Sequence, residues 1–228
     1  MLTKKKKLSR KEIKQDKLVE TYYKIYGFIQ ENRQRVTLYG GLLVVLIFAT
    51  IFYVNNRKQK NETAAVELAR TMDLFDAGNY KEAIDGQPGT VIIGLKKIVD
   101  EYGSTPNGET AKIFLADSYN LLGKSEDAFK YYKDYDGDIK LYQSTALAGQ
   151  AGYFASQNNY GQAAELYNKA AQVSETNVLN PEYLLKAGIN YMKAGKTGEA
   201  KKAFESIQND YKTSASAREV QRYLVQLN

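Results

Sequence analysis

The chain has 228 residues and a formal net charge of +6, with no cysteine, no histidine and no tryptophan. The lack of cysteine excludes disulfides and thiol chemistry, and the lack of histidine excludes the commonest general base and zinc ligand. Residues 1–35 contain 11 Lys/Arg and four Asp/Glu, a net charge of +7, whereas the rest of the chain has a net charge of −1. The basic character therefore belongs to an N-terminal tail, and because no other feature indicates nucleic-acid binding, we expect none.

The tail begins with a lysine run, Lys4 to Lys7, and then changes pattern. Apolar residues recur from position 18 at the spacing of one helix face, namely Leu18, Tyr22, Ile25, Tyr26 and Ile29. This pattern predicts an amphipathic helix. Two interpretations follow. The helix rests on the cytoplasmic leaflet or on a membrane partner, or it is a juxtamembrane extension without a partner.

Residues 36–54, VTLYGGLLVVLIFATIFYV, form an uncharged stretch of 19 residues. A helix of this length rises roughly 28 Å, close to the hydrocarbon thickness of a bilayer. A cleaved signal peptide is the alternative. However, the 35 residues before the stretch exceed an ordinary n-region, and no small-x-small cleavage site follows it. We therefore predict one uncleaved transmembrane signal-anchor helix.

The orientation of this helix follows from positive charge. Within 20 residues of the span, four Lys/Arg precede it and four follow it, so the local count ties. The short lysine-rich tail breaks the tie, because long domains translocate largely regardless of charge. We expect residues 1–35 in the cytoplasm and residues 55–228 outside it. In a bacterium this predicts a single-pass inner-membrane protein with a periplasmic domain.

The domain at residues 55–228 contains four similar short segments. They are GNYKEA at residues 78–83, GKSEDA at 123–128, NNYGQA at 158–163 and GKTGEA at 195–200. A Gly or Asn at the start suits a left-handed residue that ends a helix, and Ser125 or Thr197 would cap the next helix. The closing alanines, 45, 35 and 37 residues apart, suit close helix contacts. The pattern predicts helix pairs repeating about every 34 residues. The first interval is longer than the other two, and an inserted loop at residues 85–94, DGQPGTVIIG, accounts for the additional length.

Further positions resemble tetratricopeptide repeats. In that family small residues recur at two positions of the repeat, with an aromatic residue between them and another after them. Three units of this chain match: Ala116, Tyr119, Ala128 and Tyr132; Ala151, Phe154, Ala163 and Tyr167; and Gly188, Tyr191, Ala200 and Phe204. The resemblance implies an all-α solenoid of about four helix pairs after one transmembrane helix. Two segments, IVDEYGST at 98–105 and IQNDYKTS at 207–214, also match each other, and a final helix at about 215–227 would cap the stack.

The layout also resembles a narrower group, the ancillary subunit of the bacterial Sec translocon. The tail KEIKQDKLVETYYKIYGFIQENRQR and the stretch NPEYLLKAGINYMKAGKTGEAKKAFESIQNDY carry this resemblance. It implies a protein-binding scaffold beside the secretion channel, with translocon subunits, periplasmic chaperones or secreted clients as partners. A scaffold for another envelope machine, in cell division or outer-membrane assembly, is the alternative.

By the family pattern, the first helix of each pair lines a concave partner groove. The residues at these positions are Thr110, Ile113, Asp117, Asn120, Leu121, Thr145, Ser156, Leu185, Ile189 and Met192. The alternative is a solvated or self-packed face. The Lys and Asn residues with which some family members grip a terminal carboxylate are replaced here by Leu68, Met72, Ile113 and Asp117, so an apolar or mixed groove is expected.

No pattern in the chain predicts catalysis. Asp134, Asp136 and Asp138 are closely spaced, but the Gly and Glu positions of a calcium-binding EF-hand loop are not met, so we interpret them as a polar turn. With no histidine, no cysteine and no phosphate-binding glycine loop, we expect no enzyme activity, catalytic residue, cofactor, metal or small-molecule substrate.

Overall fold

The computed structural model describes residues 10–227. Within this range, residues 10–16 and 18 are described by their backbone alone. The structure is 80% helical, and the described residues contain no strand, which confirms the all-α part of the prediction. The helices are α1 Arg10–Glu31, α2 Arg33–Asp76, α3 Tyr80–Asp85, α4 Gly94–Tyr102, α5 Pro106–Leu121, α6 Ser125–Asp134, α7 Lys140–Ser156, α8 Tyr160–Gln172, α9 Asn180–Lys193, α10 Thr197–Asp210 and α11 Ala215–Gln226.

The predicted N-terminal helix is present as α1. Its apolar side chains are exposed, including Tyr22, Ile25, Tyr26 and Ile29. Helical hydrogen bonding continues past its end, because the Asn32 amide donates to the Phe28 carbonyl and the Val36 amide to the Asn32 carbonyl. Helical hydrogen bonding therefore runs from α1 into α2. The Leu18 side chain and the lysine run at residues 4–7 lie outside the described residues.

Helix α2 is 44 residues long and contains the whole apolar stretch at residues 36–54. It is the one helix within residues 10–227 that is long and apolar enough to cross a membrane. The side chains of its most apolar part are exposed, as Leu42, Phe48 and Phe52 illustrate. Further along the same helix, Ala64, Leu68 and Thr71 are buried. One uninterrupted helix therefore has an exposed apolar part and a part that belongs to a packed core.

The chain divides into two compact units, Met1–Asn56 and Arg57–Asn228. In the second unit each helix from α3 to α11 packs against the next one along the chain. Contacts one step further also occur, because α3 contacts α5, α5 contacts α7 and α9 contacts α11. Each of these helices therefore lies against its neighbours along the chain, and most of the connections between them are short turns.

Left-handed residues end the first helix of each pair, as the sequence predicts. Gly78, Gly123, Asn158 and Gly195 have φ between 60° and 77°. The prediction that Ser125 and Thr197 cap the following helices is wrong. Each is the first residue of its helix, and the preceding residue, a lysine in both cases, occupies the cap position without a side-chain bond. The lysine directly after the left-handed glycine occupies the cap position, so the hydroxyl residue comes one position after the cap.

Small residues let the paired helices approach closely. Ala83, Ala128, Ala163 and Ala200, which close the four repeated segments, are almost completely buried. At Gly188 an added methyl group would lie 2.2 Å from a ring carbon of Phe204. A side chain at that position would force the aromatic ring out of the core, so the small-residue positions of the repeat follow from packing.

The predicted inserted loop and final helix are both present. Residues 86–93 separate α3 from α4, and a turn closes this loop through hydrogen bonds between Gln87 and both Thr90 and Ile92. Helix α11 buries Val220 and stacks Tyr223 on Phe204, with ring centroids 5.4 Å apart. It thereby covers the end of the core cluster that α8, α9 and α10 build.

Candidate functional site

The predicted partner groove begins on α5, where its residues differ in burial. Ile113 is only 1% exposed and packs in a core cluster with Ala116 and Ala146, so it contributes to packing rather than to an open surface. Asp117 is half-buried. Asn120 and Leu121 are exposed, Leu121 by 56%. The C-terminal end of α5 therefore offers more free surface than its middle.

The three predicted groove hydroxyls bond to their own helices. The Thr110 hydroxyl donates to the Pro106 carbonyl at 3.1 Å, and the Thr145 hydroxyl to the Leu141 carbonyl at 3.0 Å. The Ser156 hydroxyl donates to the Tyr153 carbonyl at 2.7 Å. Such local bonds satisfy the hydroxyl proton and leave the oxygen lone pairs as acceptors.

The predicted residues of α9 lie mainly inside the domain. Leu185 is 7% exposed and belongs to the large core cluster of the C-terminal helices. Ile189 and Met192 are partly buried and pack against the same cluster. Helix α9 contacts α8, α10 and α11, and most of its residues are buried. The predicted apolar side chains of α9 therefore stabilise the stack.

A buried acid-phenol pair lies where α5 meets α6. The Tyr132 hydroxyl donates to the Asp117 carboxylate at 2.5 Å. Burial raises the pKa of Asp117, and the hydrogen bond from Tyr132 opposes that shift without cancelling it. Burial and the nearby Asp117 charge also raise the pKa of Tyr132 far above its usual value. The phenol therefore stays protonated and acts as a donor.

Two further buried tyrosines, Tyr167 of α8 and Tyr183 of α9, lie near enough to Tyr132 to influence its pKa. Burial raises the pKa of Tyr183. Lys186 lies over the Tyr167 ring, 5.8 Å from its centroid, and pairs with Glu182 at 2.7 Å. Side chains from successive helix pairs thus meet in one hydroxyl-rich region.

The sequence pattern identified part of this region. Tyr132 and Tyr167 occupy the second-helix aromatic positions of the repeat, which indicates their burial but not their hydroxyl partners. Tyr183 and Lys186 are missing from the predicted groove. The spacing of Glu182 and Lys186, one helical turn apart, was the available signal for their ion pair.

Asp134, by its carboxylate, and Asp136, by its backbone amide, take part in a network with α5. Lys112 is 8% exposed, and its ammonium lies 2.9 Å from Glu109 and 2.8 Å from Asp134. The Asp136 amide donates to the other Glu109 oxygen at 2.9 Å. Burial lowers the pKa of Lys112, but the hydrogen bonds to Asp134 and Glu109 outweigh burial and raise it overall. This network fastens the α6–α7 loop to α5.

This hydroxyl-rich region has buried tyrosines, which contribute to packing and to internal hydrogen bonds rather than to an open surface. Its acidic and phenolic groups are paired with each other, and the chain has no histidine or cysteine to serve as a base or a nucleophile. No family model and no curated protein matches this chain.

Proposed function

We propose that this protein is a membrane-anchored scaffold that binds other proteins through its helical unit. The observation that carries the proposal is the structure of α2, a single helix with a long exposed apolar part and, further on, residues buried in a helical core. Anchoring raises the concentration of the unit near partners in the same membrane.

We further propose that the helical unit is a tetratricopeptide-like solenoid. The sequential packing of α3 to α11, the contacts between alternate helices and the left-handed residues at the repeated turns support this arrangement. Such repeats carry binding surfaces rather than reaction centres, so the proposed activity is binding and not catalysis.

The proposed partners are Sec translocon subunits, periplasmic chaperones or secreted clients. The resemblance of the tail, the span and the C-terminal repeat to the ancillary translocon subunit supports this choice. The proposed location is the bacterial inner membrane, with the N-terminus in the cytoplasm and the helical unit in the periplasm. The lysine-rich tail supports that orientation.

Crosslinking in intact membranes tests the partners. A photo-reactive amino acid replaces exposed span residues such as Leu42 or Phe48, and mass spectrometry identifies the crosslinked proteins. We expect enrichment of translocon subunits. Enrichment of division or outer-membrane-assembly proteins instead would replace the translocon with that machine. A second photo-reactive position, the exposed Leu121 of the helical unit, remains when residues 1–54 are exchanged for an unrelated anchor. The same crosslinks from Leu121 before and after that exchange would mean that the native tail and span act only as a tether.

Protease protection tests the orientation. Protease added to intact cells with a permeabilised outer membrane should cleave residues 57–228 and leave an N-terminal epitope protected. Cleavage of the N-terminal epitope and protection of the helical unit would reverse the proposed topology.

A further inference from the structure

The two matching segments at residues 98–105 and 207–214, here called the first corner and the second corner, form the same turn. In the first corner the Thr105 amide donates to the Tyr102 carbonyl at 2.8 Å, and the Thr105 hydroxyl accepts from the Gly108 amide at 3.1 Å. In the second corner the Ser214 amide donates to the Tyr211 carbonyl at 2.9 Å, and the Ser214 hydroxyl accepts from the Ala217 amide at 3.1 Å. Their sequence match therefore corresponds to a match in backbone structure.

An arginine occupies the first corner. The Arg57 guanidinium donates to the Ser104 carbonyl oxygen twice, from Nε at 3.3 Å and from Nη2 at 3.0 Å. One turn later on α2, the Asn61 side chain accepts from the Asn107 amide at 2.9 Å. The part of α2 that begins at Arg57 thus covers the first corner with polar side chains.

The second corner lacks this cover because the helix before it starts later. The repeat aligns Thr71 with Gly188, so Thr63 aligns with Asn180, the first residue of α9. The position of Asn61 is taken by Val178, a loop residue that is 85% exposed. None of the described arginines donates to the Thr213 carbonyl, the counterpart of the Ser104 carbonyl.

A cleft of about 590 Å³ lies at this place. One wall is the α8–α9 loop, with Glu175, Thr176 and Val178, and the other is the second corner itself. The walls are tied together by Asn180, which is fully buried and donates to the Ser174 carbonyl at 2.7 Å and to the Tyr211 hydroxyl at 3.4 Å. The cleft is therefore built before any ligand arrives.

The lining of the cleft suits a guanidinium. The cleft is lined by two exposed carboxylates, Glu175 and Asp210, and by one exposed ammonium, Lys212. Tyr211, which lies between Asp210 and Lys212 in the sequence, also lines it. A guanidinium offers five donors in a planar fork and stacks on aromatic rings, so backbone carbonyls, carboxylates and a phenol ring together match its chemistry.

We propose that this cleft binds an arginine side chain of a partner protein, in the place that Arg57 takes at the first corner. The site lies outside the predicted groove. It goes beyond the proposed function, because arginine binding is measurable on the purified chain with no translocon present.

The test uses the full chain in nanodiscs of phosphatidylcholine, a zwitterionic lipid that does not attract cationic peptides. The probe is a short Gly/Ser peptide with one central arginine and a neutral fluorophore, and fluorescence anisotropy measures its binding. Matched peptides carry lysine or citrulline in place of arginine. We expect the arginine peptide to bind roughly tenfold more tightly than the citrulline peptide, because citrulline keeps the shape but loses the charge and donors.

Variants locate the binding. Asp210→Asn and Glu175→Gln should each weaken arginine-peptide binding about threefold to tenfold, since each removes one carboxylate of the cleft. Asp138→Asn, the same charge change on the α6–α7 loop, is the matched control and should leave binding unchanged. Equal binding of the arginine and citrulline peptides would overturn the proposal. So would equal binding of arginine and lysine peptides, or equal loss in the Asp138→Asn and Asp210→Asn variants.

Discussion

The first and second corners differ in what covers them, although their turns share the same hydrogen bonds. The first corner is closed by Arg57 and Asn61 of the long helix α2, whereas the second corner borders an open cleft beside a loop. The covered first corner also has tighter packing around it than the second corner has. Gly108, in the first turn of the helix after the first corner, is buried against backbone, while its counterpart Ala217 after the second corner carries a methyl group. At these two corners, the start of the preceding helix therefore determines whether the turn is covered or borders a cleft.

Among the variants that test this difference, Gly108→Ala has the largest expected effect. The new methyl carbon would lie 1.9 Å from the Tyr102 carbonyl oxygen, and backbone cannot move aside as a flexible side chain can. We expect the free energy of unfolding to fall by about 3 kcal/mol. Urea unfolding of the full chain in micelles, followed by circular dichroism, measures the loss.

The matched variant at the second corner is Ala217→Gly. It removes a methyl group from a helical position, so we expect a loss of about 1 kcal/mol from helix propensity. Similar losses for Gly108→Ala and Ala217→Gly would show that the two corners are equally packed, against the structure.

Lys112→Gln replaces a charged residue of α5, the helix after the first corner, by the residue at the matching position of α11, the helix after the second corner. Lys112 aligns with Gln221, which accepts a hydrogen bond from Gln208 at 2.7 Å. In the variant, the Glu109 carboxylate loses the ammonium that neutralises it, although the Glu109 side chain is only 14% exposed. We expect a loss of about 2 kcal/mol, below the full cost of breaking a buried pair because Asp134 is 70% exposed. Urea unfolding measures it, and Lys130→Gln, at an exposed ion pair, is the control with little loss.

The same lysine makes a pH prediction. Burial lowers the pKa of Lys112, but Asp134 and Glu109 raise it overall above the value in the unfolded chain. The stabilisation is therefore fully present below the unfolded pKa, near 10.4, and is lost as the pH rises through the folded pKa. The difference in unfolding free energy between wild type and Lys112→Gln should be constant from neutral pH to about pH 9 and shrink above about pH 10. A difference that shrinks already near neutral pH would contradict this ion pair.

Much of the helical pattern could be predicted from the sequence, because its signals are local. Gly78, Gly123, Asn158 and Gly195 end helices since their backbones take positive φ, and the small residues of the repeat mark close helix contacts. The predicted caps at Ser125 and Thr197 are wrong because each helix begins one residue earlier than the prediction assumed. A one-residue error changes a cap into a first-turn residue.

The surface was harder to predict, because it depends on how closely successive helices pack. The spacing that put Ile113 and Leu185 on an inner face is correct for one helix, but neighbouring helices bury both side chains. The corners show the same limit. Their match is visible in the sequence, but the role of Arg57 follows only when α2 is seen to continue through residue 57 as helix. In the sequence alone, Arg57 is simply a positive charge after the span.

Thr105→Ala and Ser214→Ala compare the two caps directly. Both hydroxyls accept one amide of the following helix, at the same distance. Thr105 is fully buried and its hydroxyl also donates to the Tyr102 carbonyl, whereas Ser214 is half-buried. We expect unfolding free energies to fall by about 1.5 kcal/mol for Thr105→Ala and about 1 kcal/mol for Ser214→Ala. A larger loss at Ser214 in urea unfolding would contradict the tighter packing of the first corner.

Arg57→Gln has the smallest expected effect and the most direct bearing on the proposed arginine site. The side chain is exposed, so we expect a loss of at most about 0.5 kcal/mol of global stability. The local effect should be larger, since the guanidinium holds the Ser104 carbonyl. We expect faster hydrogen exchange at the amides of Thr105 and Asn107, with unchanged exchange at Ser214. Arg57→Lys keeps the charge but loses the fork, and should restore little of the protection. If Arg57→Lys exchanges like wild type, a point charge is enough at the first corner. The reason to expect arginine rather than any cation at the second corner would then be lost.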